Sequence, residues 1–505
     1  MLKTKRQVLP SYSSCTEEKL KINYIDANAY HDWQPGGESH PTQGRRYKHA
    51  TRVLQQLDNE GVVDVEYSTP RGPFLEELEL VHSDEYIQQV LSDGECNEWP
   101  GSKPDQAAIA ALFFGGTMQA VEMVQGGAQL VVNLPGAKHH AMRTHSSGFC
   151  VFADFAAAGI RFADTYGKRV ALLDIDVHHG DGTEVLLKER NDLFTFSIHE
   201  KGIFPGTGGK VESDKTNWVF NRPLPSGSGD FELLAAVQDF VEAAKEFAPD
   251  VIMIAGGADG HYADPLANLE YTEIGFARAV REVKNAFADL PFIFSGAGGY
   301  TPDDYTPAMW LSAILALAGK TDQEIIDLKI VERVRTVVSK RADLYAPQWV
   351  SADQEPKELH TEILPGFFMG GTADDDTIDY AKPLSTFEHG IPFDAVVTLY
   401  SWAQPMPWGI EELRYGFADA NMAHVDEDRL HRIADWAHER WKEGKRVLVR
   451  CQAGMNRSGL VSALVLMRAN YSAEDAIKLL RDKRSEVVLF NDAFVDYLVG
   501  LEAKS

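Results

Sequence analysis

The sequence predicts an α/β protein, with a mainly parallel sheet in a larger domain and a second, smaller α/β domain after it. Short apolar runs alternate with longer amphipathic stretches from about residue 45 to residue 340, and the runs end in Gly- or His-rich turns. Alternation of this kind is typical of a parallel sheet covered by helices on both faces. Because such sheets bind ligands at the carboxyl ends of their strands, we expect the chemistry in those turns.

The elements of the larger domain follow from these runs. Helices are predicted at Gln106–Val124 and Phe231–Phe247, which are amphipathic or alanine-rich. Buried strands are predicted at the β-branched or aliphatic runs Leu130–Val132, Val170–Ile175, Leu193–Ile198, Val251–Ile254 and Pro291–Phe294.

A change of composition separates the two domains. The stretch Tyr345–Glu358 has two prolines, several charges and no apolar periodicity, as linkers do. We therefore place a first domain at residues 1–345, a linker at 346–359 and a second domain at 360–505. The second domain is predicted to have strands at Val396–Leu399 and Val447–Val449, and helices at His424–Glu443 and Arg457–Ala469.

Composition and charge narrow the class of protein. Hydrophobic residues make up 44% of the chain and charged residues 25%, which is typical of a soluble globular protein. The formal charge of −26 argues against nucleic acid or an anionic membrane as a partner. The apolar stretches near Leu311–Ala318 and Val461–Met467 are too short to cross a bilayer. Without a signal peptide, we expect a cytoplasmic protein with free thiols at Cys15, Cys96, Cys150 and Cys451.

Acidic and imidazole side chains follow the run that begins at Val170. Asp174, Asp176 and His178 are spaced two residues apart, which on a strand would put them on one face. Two buried carboxylates repel each other, so a cation would stabilise them, and Zn²⁺ accepts carboxylate and imidazole ligands. The alternative is that the aspartates cap the next turn and the histidine is solvated. The second histidine and the Gly-Asp-Gly that follow favour the metal site.

Other strand ends supply further polar groups. Asp259 follows the run VIMIAGG, His139 and His140 lie in PGAKHH, and Tyr300 ends SGAGGY. Taken singly, Asp259 could be a helix cap and Tyr300 a surface residue. Their occurrence at successive strand ends favours one shared site.

The motifs KHHA, SSGFC, DIDVHHGDGTE, FSIHEKGIFPGTG, GGADGHYADPL and GAGGY occur in this order and resemble the histone deacetylase superfamily over about residues 22–345. The resemblance implies the arginase/deacetylase fold and zinc-dependent hydrolysis of an acyl-amide. It implies Asp176, His178 and Asp259 as zinc ligands, and His139 and His140 as the catalytic histidines. It implies that Asp174 and Asp181 are the carboxylate partners of those histidines and that Tyr300 polarises the substrate carbonyl. It also implies an acyl-lysine channel lined by Gly148, Phe149 and Phe204. The K⁺ site that it implies is formed by Asp174, Asp176, His178, Ser197 and Ile198.

The chain departs from the family pattern at one point of this site. Ala137 and Lys138 stand between the Pro-Gly pair and the two histidines, which the family usually places almost directly after Pro-Gly. This difference bears on the fit of the substrate more than on the chemistry.

A second constellation lies at residues 446–459, RVLVRCQAGMNRSG. A predicted strand leads Cys451 into a short loop that Arg457 closes before a helix. Backbone N–H groups of such a loop can surround a phosphate, and Arg457 can bind two of its oxygens. The same field would stabilise a Cys451 thiolate as a nucleophile, and Ser458 could assist its departure. The loop residues expected to bind phosphate in this way are Gln452, Ala453, Gly454, Met455 and Asn456.

This Cys-x5-Arg motif resembles the dual-specificity branch of the cysteine phosphatases. The segments EILPGFFMGG and LFNDAF extend the resemblance to about residues 360–505. Asp419, 32 residues before Cys451, matches the general acid of that branch. Arg450 stands where the branch commonly has a histidine. The alternative, a structural cysteine before a helix, is disfavoured by this context.

The sequence therefore predicts a bifunctional hydrolase that acts on an acyl-amide and on a phosphate monoester. The expected substrates are an acylated lysine in a protein or a small acetylated amine, and a phosphorylated molecule. One alternative is a deacylase whose C-terminal domain only binds phosphorylated ligands. Another is a wholly non-catalytic binding module, against which Tyr300, His140, Cys451 and Asp419 argue, because pure binding needs no general acid or base.

Overall fold

The computed structural model describes residues 20–37, 40–342, 356, 358–372, 393–403, 405–419, 422 and 425–502. The chain forms two compact units, divided between Val337 and Val338. His424, Cys15 and most of the predicted linker lie outside the described residues.

The first unit contains a nine-stranded sheet in the order β2-β1-β3-β9-β8-β4-β5-β7-β6. Every neighbouring pair is parallel except β6 and β7, which are antiparallel. The strands are β1 (Ile22–Ile25), β2 (Val65–Ser68), β3 (Leu130–Val132), β4 (Val170–Asp174), β5 (Leu193–Glu200), β6 (Glu212–Asp214), β7 (Val219–Leu224), β8 (Val251–Ala255) and β9 (Phe292–Ser295).

Helices connect these strands, and the last of them spans the division between the units. They are α1 (Asn28–His31), α2 (Arg45–Asn59), α3 (Leu75–Leu78), α4 (Asp84–Leu91), α5 (Pro104–Gln125), α6 (Asp154–Tyr166), α7 (Asp181–Leu187), α8 (Asp230–Phe247), α9 (Glu273–Ala286), α10 (Tyr305–Leu317), α11 (Asp322–Leu328) and α12 (Ile330–Ala342).

The central strands explain why the alternation could be detected in the sequence. All residues of β4, β5 and β8 are buried, because helices cover both faces of a parallel sheet. Such strands are rich in apolar residues, and the five predicted runs coincide with β3, β4, β5, β8 and β9 to within two residues at each end. The predicted fold class is confirmed.

One expectation about this unit was wrong. β4 ends at Asp174, so Asp176 and His178 lie in the following loop and not on a strand face. Of the helices in the described part of the chain, α5 alone has the length and composition to cross a membrane, and 72% of its most apolar window is buried.

The second unit has a five-stranded sheet in the order β10-β11-β14-β12-β13, in which only the β10–β11 pair is antiparallel. Residues of the sheet and of α13 and α14, defined next, share its main apolar core. The elements are β10 (His360–Leu364), β11 (Phe367–Gly370), β12 (Ala395–Thr398), β13 (Glu411–Arg414), α13 (Glu427–Lys442), β14 (Val447–Arg450), α14 (Asn456–Arg468), α15 (Ala473–Lys483) and α16 (Asp492–Glu502).

Candidate active sites

Five adjacent strands, in the order β3-β9-β8-β4-β5, carry the predicted groups of the first unit. Because these strands are parallel, their carboxyl ends meet at one edge of the sheet. The turns that follow them contain the histidine pair after β3, Tyr300 after β9, Asp259 after β8, Asp176 after β4 and Phe204 after β5.

Asp176, His178 and Asp259 form a buried cluster with the chemistry of a metal site. One ligand atom from each lies within 4.8 Å of the others. His178 Nδ1 is 3.2 Å from Asp176 Oδ1 and 3.1 Å from Asp259 Oδ2. Burial and the neighbouring charge of Asp176 raise the pKa of Asp259 to about 6. A divalent cation would offset the repulsion between these carboxylates, so the residues present fit a metal ion.

Two glycines leave the space that the metal-site carboxylates occupy. A Cβ at Gly257 would lie 2.3 Å from Asp176 Oδ2, and one at Gly298 would lie 2.2 Å from Asp259 Oδ2 and 2.6 Å from Asp176 Oδ2. Gly298 also donates its backbone N–H to Asp176 Oδ2 at 2.7 Å. Gly257 lies in the motif GGADGHYADPL and Gly298 in GAGGY, but no local pattern in either motif marks them as neighbours of the two carboxylates.

Replacing Gly298 with alanine is expected to lower the affinity for a divalent metal by about 10- to 100-fold, the range found when groups around metal ligands are altered. The added methyl group would displace both carboxylates. Competition with a chromogenic chelator measures the affinity. Gly209→Ala is a matched control, since nothing lies within 4 Å of a Cβ at that position. Unchanged affinity in Gly298→Ala would contradict this assignment.

Each histidine of the predicted catalytic pair has its own carboxylate partner. His139 Nδ1 lies 2.7 Å from Asp174 Oδ2, and His140 Nδ1 lies 2.7 Å from Asp181 Oδ1. A carboxylate at Nδ1 fixes the tautomer and leaves Nε2 for proton transfer. Burial and the nearby charge of His139 lower the pKa of His140 to about 4, so this imidazole is neutral. Burial opposes protonation of His139, but Asp174 and Asp176 outweigh it and raise the pKa of His139 to about 9.

The histidine loop is held by Asp154, a residue that the sequence analysis did not identify. Asp154 is fully buried at the start of α6. Its carboxylate accepts the backbone N–H of Ala137 at 3.0 Å and that of Lys138 at 2.7 Å. Thr117 Oγ1 donates to it at 2.5 Å. The two residues that depart from the family pattern therefore have a defined anchor beside His139.

Gly148, Phe149 and Phe204 lie around the two predicted catalytic histidines and Tyr300. A Cβ at Gly148, where φ is +54°, would come within 2.4 Å of the His140 ring. The Phe204 ring centroid is 5.0 Å from that of His140, and the Phe149 centroid is 6.0 Å from that of Tyr300. Phe204 is 49% exposed, so this aromatic wall reaches the surface. Such a wall suits an apolar side-chain stem.

Tyr300 is positioned by a second carboxylate, that of Asp264, which was not among the residues predicted for this site. Asp264 accepts the Tyr300 backbone N–H at 2.8 Å through one oxygen and the Leu266 N–H at 3.0 Å through the other. Burial, together with the charges of Asp259 and Asp176, raises the pKa of Tyr300 well above its usual value. The phenol therefore stays protonated and can donate a hydrogen bond.

The residues predicted to bind K⁺ lie at the end of β4, in the loop that follows it and in the second half of β5. Asp174 pairs in register with Ser197. The Ser197 hydroxyl is 2.9 Å from His199 Nδ1. Asp174 also accepts the Asp176 backbone N–H at 3.1 Å, which ties the two aspartates together.

In the second unit, the loop between β14 and α14 places donors around Cys451. The backbone N–H of Gly454 donates to Cys451 Sγ at 3.3 Å, and the Ser458 hydroxyl lies 3.3 Å from the same atom. Gly454 has φ +71°, which favours glycine. Donors aimed at sulfur stabilise a thiolate.

Arg457 and Asp419 lie beside the same loop. Arg457 Nη1 is 3.4 Å from the Leu399 carbonyl oxygen and 3.3 Å from that of Phe417. Its Nε is buried and has no hydrogen-bond partner among the described residues. A buried unpaired donor is costly, and a phosphate oxygen would satisfy it. Asp419 accepts a hydrogen bond from Asn456, the first residue of α14.

Arg450 is engaged by the neighbouring strands. It donates to Thr398 Oγ1 at 2.9 Å and to Glu412 Oε1 at 3.2 Å. Its charge is therefore paired with the carboxylate of Glu412.

Comparisons with known proteins give a family for each of two ranges of the chain. A family model for the histone deacetylase domain matches residues 40–317, more than half of the chain, and one for the catalytic domain of dual specificity phosphatases matches residues 393–504. The chain is 36% identical over 307 residues to acetoin utilization protein AcuC of Bacillus subtilis (strain 168), a match that covers 56% of this chain and 78% of that protein.

Two further similarities are to a plant protein and to a solved structure. The chain is 32% identical over 297 residues to histone deacetylase 10, chloroplastic, of Oryza sativa subsp. japonica, covering 52% of this chain and 66% of that protein. The crystal structure of the HDA15 HD domain has a TM-score of 0.52 and 23% identity, covering 63% of this chain and 96% of that chain. At that identity the structural similarity concerns the fold alone.

Proposed function

The chain belongs to the histone deacetylase family and carries a dual specificity phosphatase domain, and on this basis we propose how the residues of its two hydrolase sites act. The observation that carries the deacylase assignment is the pair of imidazole–carboxylate contacts at 2.7 Å beside the Asp176–His178–Asp259 cluster. Metal-assisted amide hydrolysis needs proton-transfer groups beside a metal site.

In this proposal the metal is Zn²⁺, held by Asp176, His178 and Asp259, and when bound it polarises the substrate carbonyl and acidifies a water. His140, oriented by Asp181, accepts the proton of the attacking water. His139, oriented by Asp174, returns a proton to the leaving amine. We further assign K⁺ to the site formed by Asp174, Asp176, His178, Ser197 and Ile198, where its charge would offset that of Asp174.

The remaining residues of this site bind and orient the acyl group. The Tyr300 hydroxyl donates to the oxygen on which negative charge develops, and Asp264 holds the Tyr300 backbone in place. Phe149 and Phe204 flank the stem of the acylated amine. The substrate is an acylated lysine of a protein or a small acetylated amine, and the free thiols of Cys96, Cys150 and Cys451 support a reducing, cytoplasmic location.

At the second site, Cys451 attacks phosphorus and forms a phosphocysteine, while Asp419 protonates the leaving oxygen. Arg457 and the loop N–H groups bind the non-bridging oxygens. Water then releases phosphate, and Ser458 donates to the departing thiolate. The contacts at Cys451 Sγ support catalysis over binding alone, because a pure phosphate-binding loop needs no stabilised thiolate.

The full chain, loaded with zinc, tests the proposal. It is expected to release acetate from an acetyl-lysine peptide or an N-acetylated polyamine, and phosphate from p-nitrophenyl phosphate. A chelator should stop only acetate release, and alkylation of Cys451 should stop only phosphate release. Loss of both activities under either treatment would contradict two independent hydrolase sites. The same conclusion would follow if none of these three substrates were hydrolysed.

A further inference from the structure

Both oxygens of the Asp419 carboxylate are held by asparagine side chains. Asn491 Nδ2 donates to Asp419 Oδ1 at 2.8 Å, and Asn456 Nδ2 donates to Asp419 Oδ2 at 3.1 Å. The backbone N–H of Asn491 donates to Asn456 Oδ1 at 3.1 Å. The three residues therefore form a closed ring of hydrogen bonds, which we call the amide clamp.

The surroundings determine which way each amide points. Asn456 Oδ1 accepts the backbone N–H of Asn491, and Asn491 Oδ1 accepts that of Ala493 at 3.1 Å. An amide oxygen that accepts a backbone N–H leaves its NH₂ group to face the carboxylate. Neither amide can be flipped without losing one of these backbone hydrogen bonds.

The clamp links three separate parts of the second unit. Asn456 is 3% exposed and is the first residue of α14, next to Arg457 in the phosphate loop. Asn491 directly precedes α16, where its backbone carbonyl accepts from Phe494 and Val495. Asp419 lies in irregular chain after β13, without a helix or strand to orient its side chain. Two rigid helix starts thus hold a side chain that its own backbone does not fix.

From this geometry we infer that Asn456 and Asn491 are positioning residues that hold Asp419 as the proton donor of the phosphatase site. The inference rests on the proposed role of Asp419 as general acid. A carboxyl oxygen has two lone-pair sites, so it can accept one amide N–H and still carry a proton. Because Asn456 belongs to the loop that would bind the phosphate, its hydrogen bond fixes the position of the Asp419 carboxyl group relative to that loop.

The dependence of rate on the leaving group tests this inference. p-Nitrophenol is acidic and leaves without help, whereas phenol needs a proton as it leaves. Asn491→Ala and Asn456→Ala are expected to reduce kcat/KM for phenyl phosphate about tenfold more than for p-nitrophenyl phosphate, since small misplacements of catalytic groups cost up to about 10²-fold. Asp419→Asn is expected to show the same selectivity with a larger loss.

Three further variants keep the test decisive. Asn491→Leu keeps nearly the same side-chain shape but removes the amide donor to Asp419, so it should show the same selective loss in a folded protein. Asn470→Gly is the matched control, because Asn470 is exposed and has φ +69°, which glycine adopts freely. In an Asp419→Asn background, Asn491→Ala should bring no further selective loss.

The outcomes separate the inference from the proposal on which it rests. If Asp419→Asn affects both esters equally, Asp419 is not the general acid and that part of the proposed function fails. The other case is that Asp419→Asn is selective, but the asparagine variants slow hydrolysis of both esters equally while their thermal unfolding curves show that they are folded. The clamp is then merely structural and the inference is overturned.

Discussion

Replacing Cys451 with serine is expected to remove phosphate ester hydrolysis almost completely while deacylation continues. Loss of a catalytic nucleophile lowers kcat by on the order of 10⁶-fold in a well-studied serine protease, and a similar loss is expected here. A serine hydroxyl is far less acidic than a thiol, so the donors at Gly454 and Ser458 would no longer stabilise an anion. Phosphate release from p-nitrophenyl phosphate measures the effect.

The design of this experiment uses both activities of one chain. Acetate release by the same preparation shows that Cys451→Ser is folded. Cys96→Ser, in the first unit, is the chemically matched control and should keep phosphatase activity. Undiminished turnover of the aryl phosphate by Cys451→Ser would exclude Cys451 as the nucleophile and with it the second catalytic site.

Replacing His140 with alanine is expected to slow deacylation by about 10²- to 10⁴-fold, the usual contribution of a general base. His140 is the buried imidazole that faces Asp181 at 2.7 Å and packs against Phe204. Its low pKa keeps it neutral and ready to accept a proton at neutral pH. The rate of acetate release is measured at saturating metal, with whichever of the acetyl-lysine peptide and the N-acetylated polyamine is hydrolysed faster.

Metal content and a nearby histidine supply the controls for His140→Ala. The variant should still bind one divalent ion, because His140 is not part of the Asp176–His178–Asp259 cluster. His145→Ala, an exposed position in the same loop, should deacylate within about twofold of the unaltered chain. The role of His140 as base is excluded if its alanine variant retains full deacylation with metal bound.

Much of the fold and of both sites could be predicted because the signals are local. Fully buried parallel strands are apolar runs, and each run passes directly into the turn that carries its polar group. For this reason Asp259 and Tyr300 could be placed at one sheet edge from the sequence. Asp176 and His178 were placed there for a partly wrong reason, since β4 ends before them and the loop, not strand alternation, brings them to Asp259.

The supporting residues could not be predicted because their partners are distant in the chain. Asp154 accepts hydrogen bonds from backbone amides that lie 16 and 17 residues before it in the chain. Asp264 accepts one from a backbone amide 36 residues after it, and Asn491 donates to Asp419 across 72 residues. A buried carboxylate that accepts backbone N–H groups has no pattern of neighbours in sequence. Gly257 and Gly298 lack a signal for a related reason, because what matters there is the space that their missing Cβ atoms leave.

One edge of the nine-stranded sheet bears on how the protein behaves in concentrated solution. β6 is three residues long, runs antiparallel to β7 and begins and ends with the acidic side chains of Glu212 and Asp214. Strand addition from another molecule could gain only a few backbone hydrogen bonds and would bring like charges together on a chain that already carries −26. This border of the sheet is thus a poor template for self-association, which protects the folded enzyme from aggregating through that side.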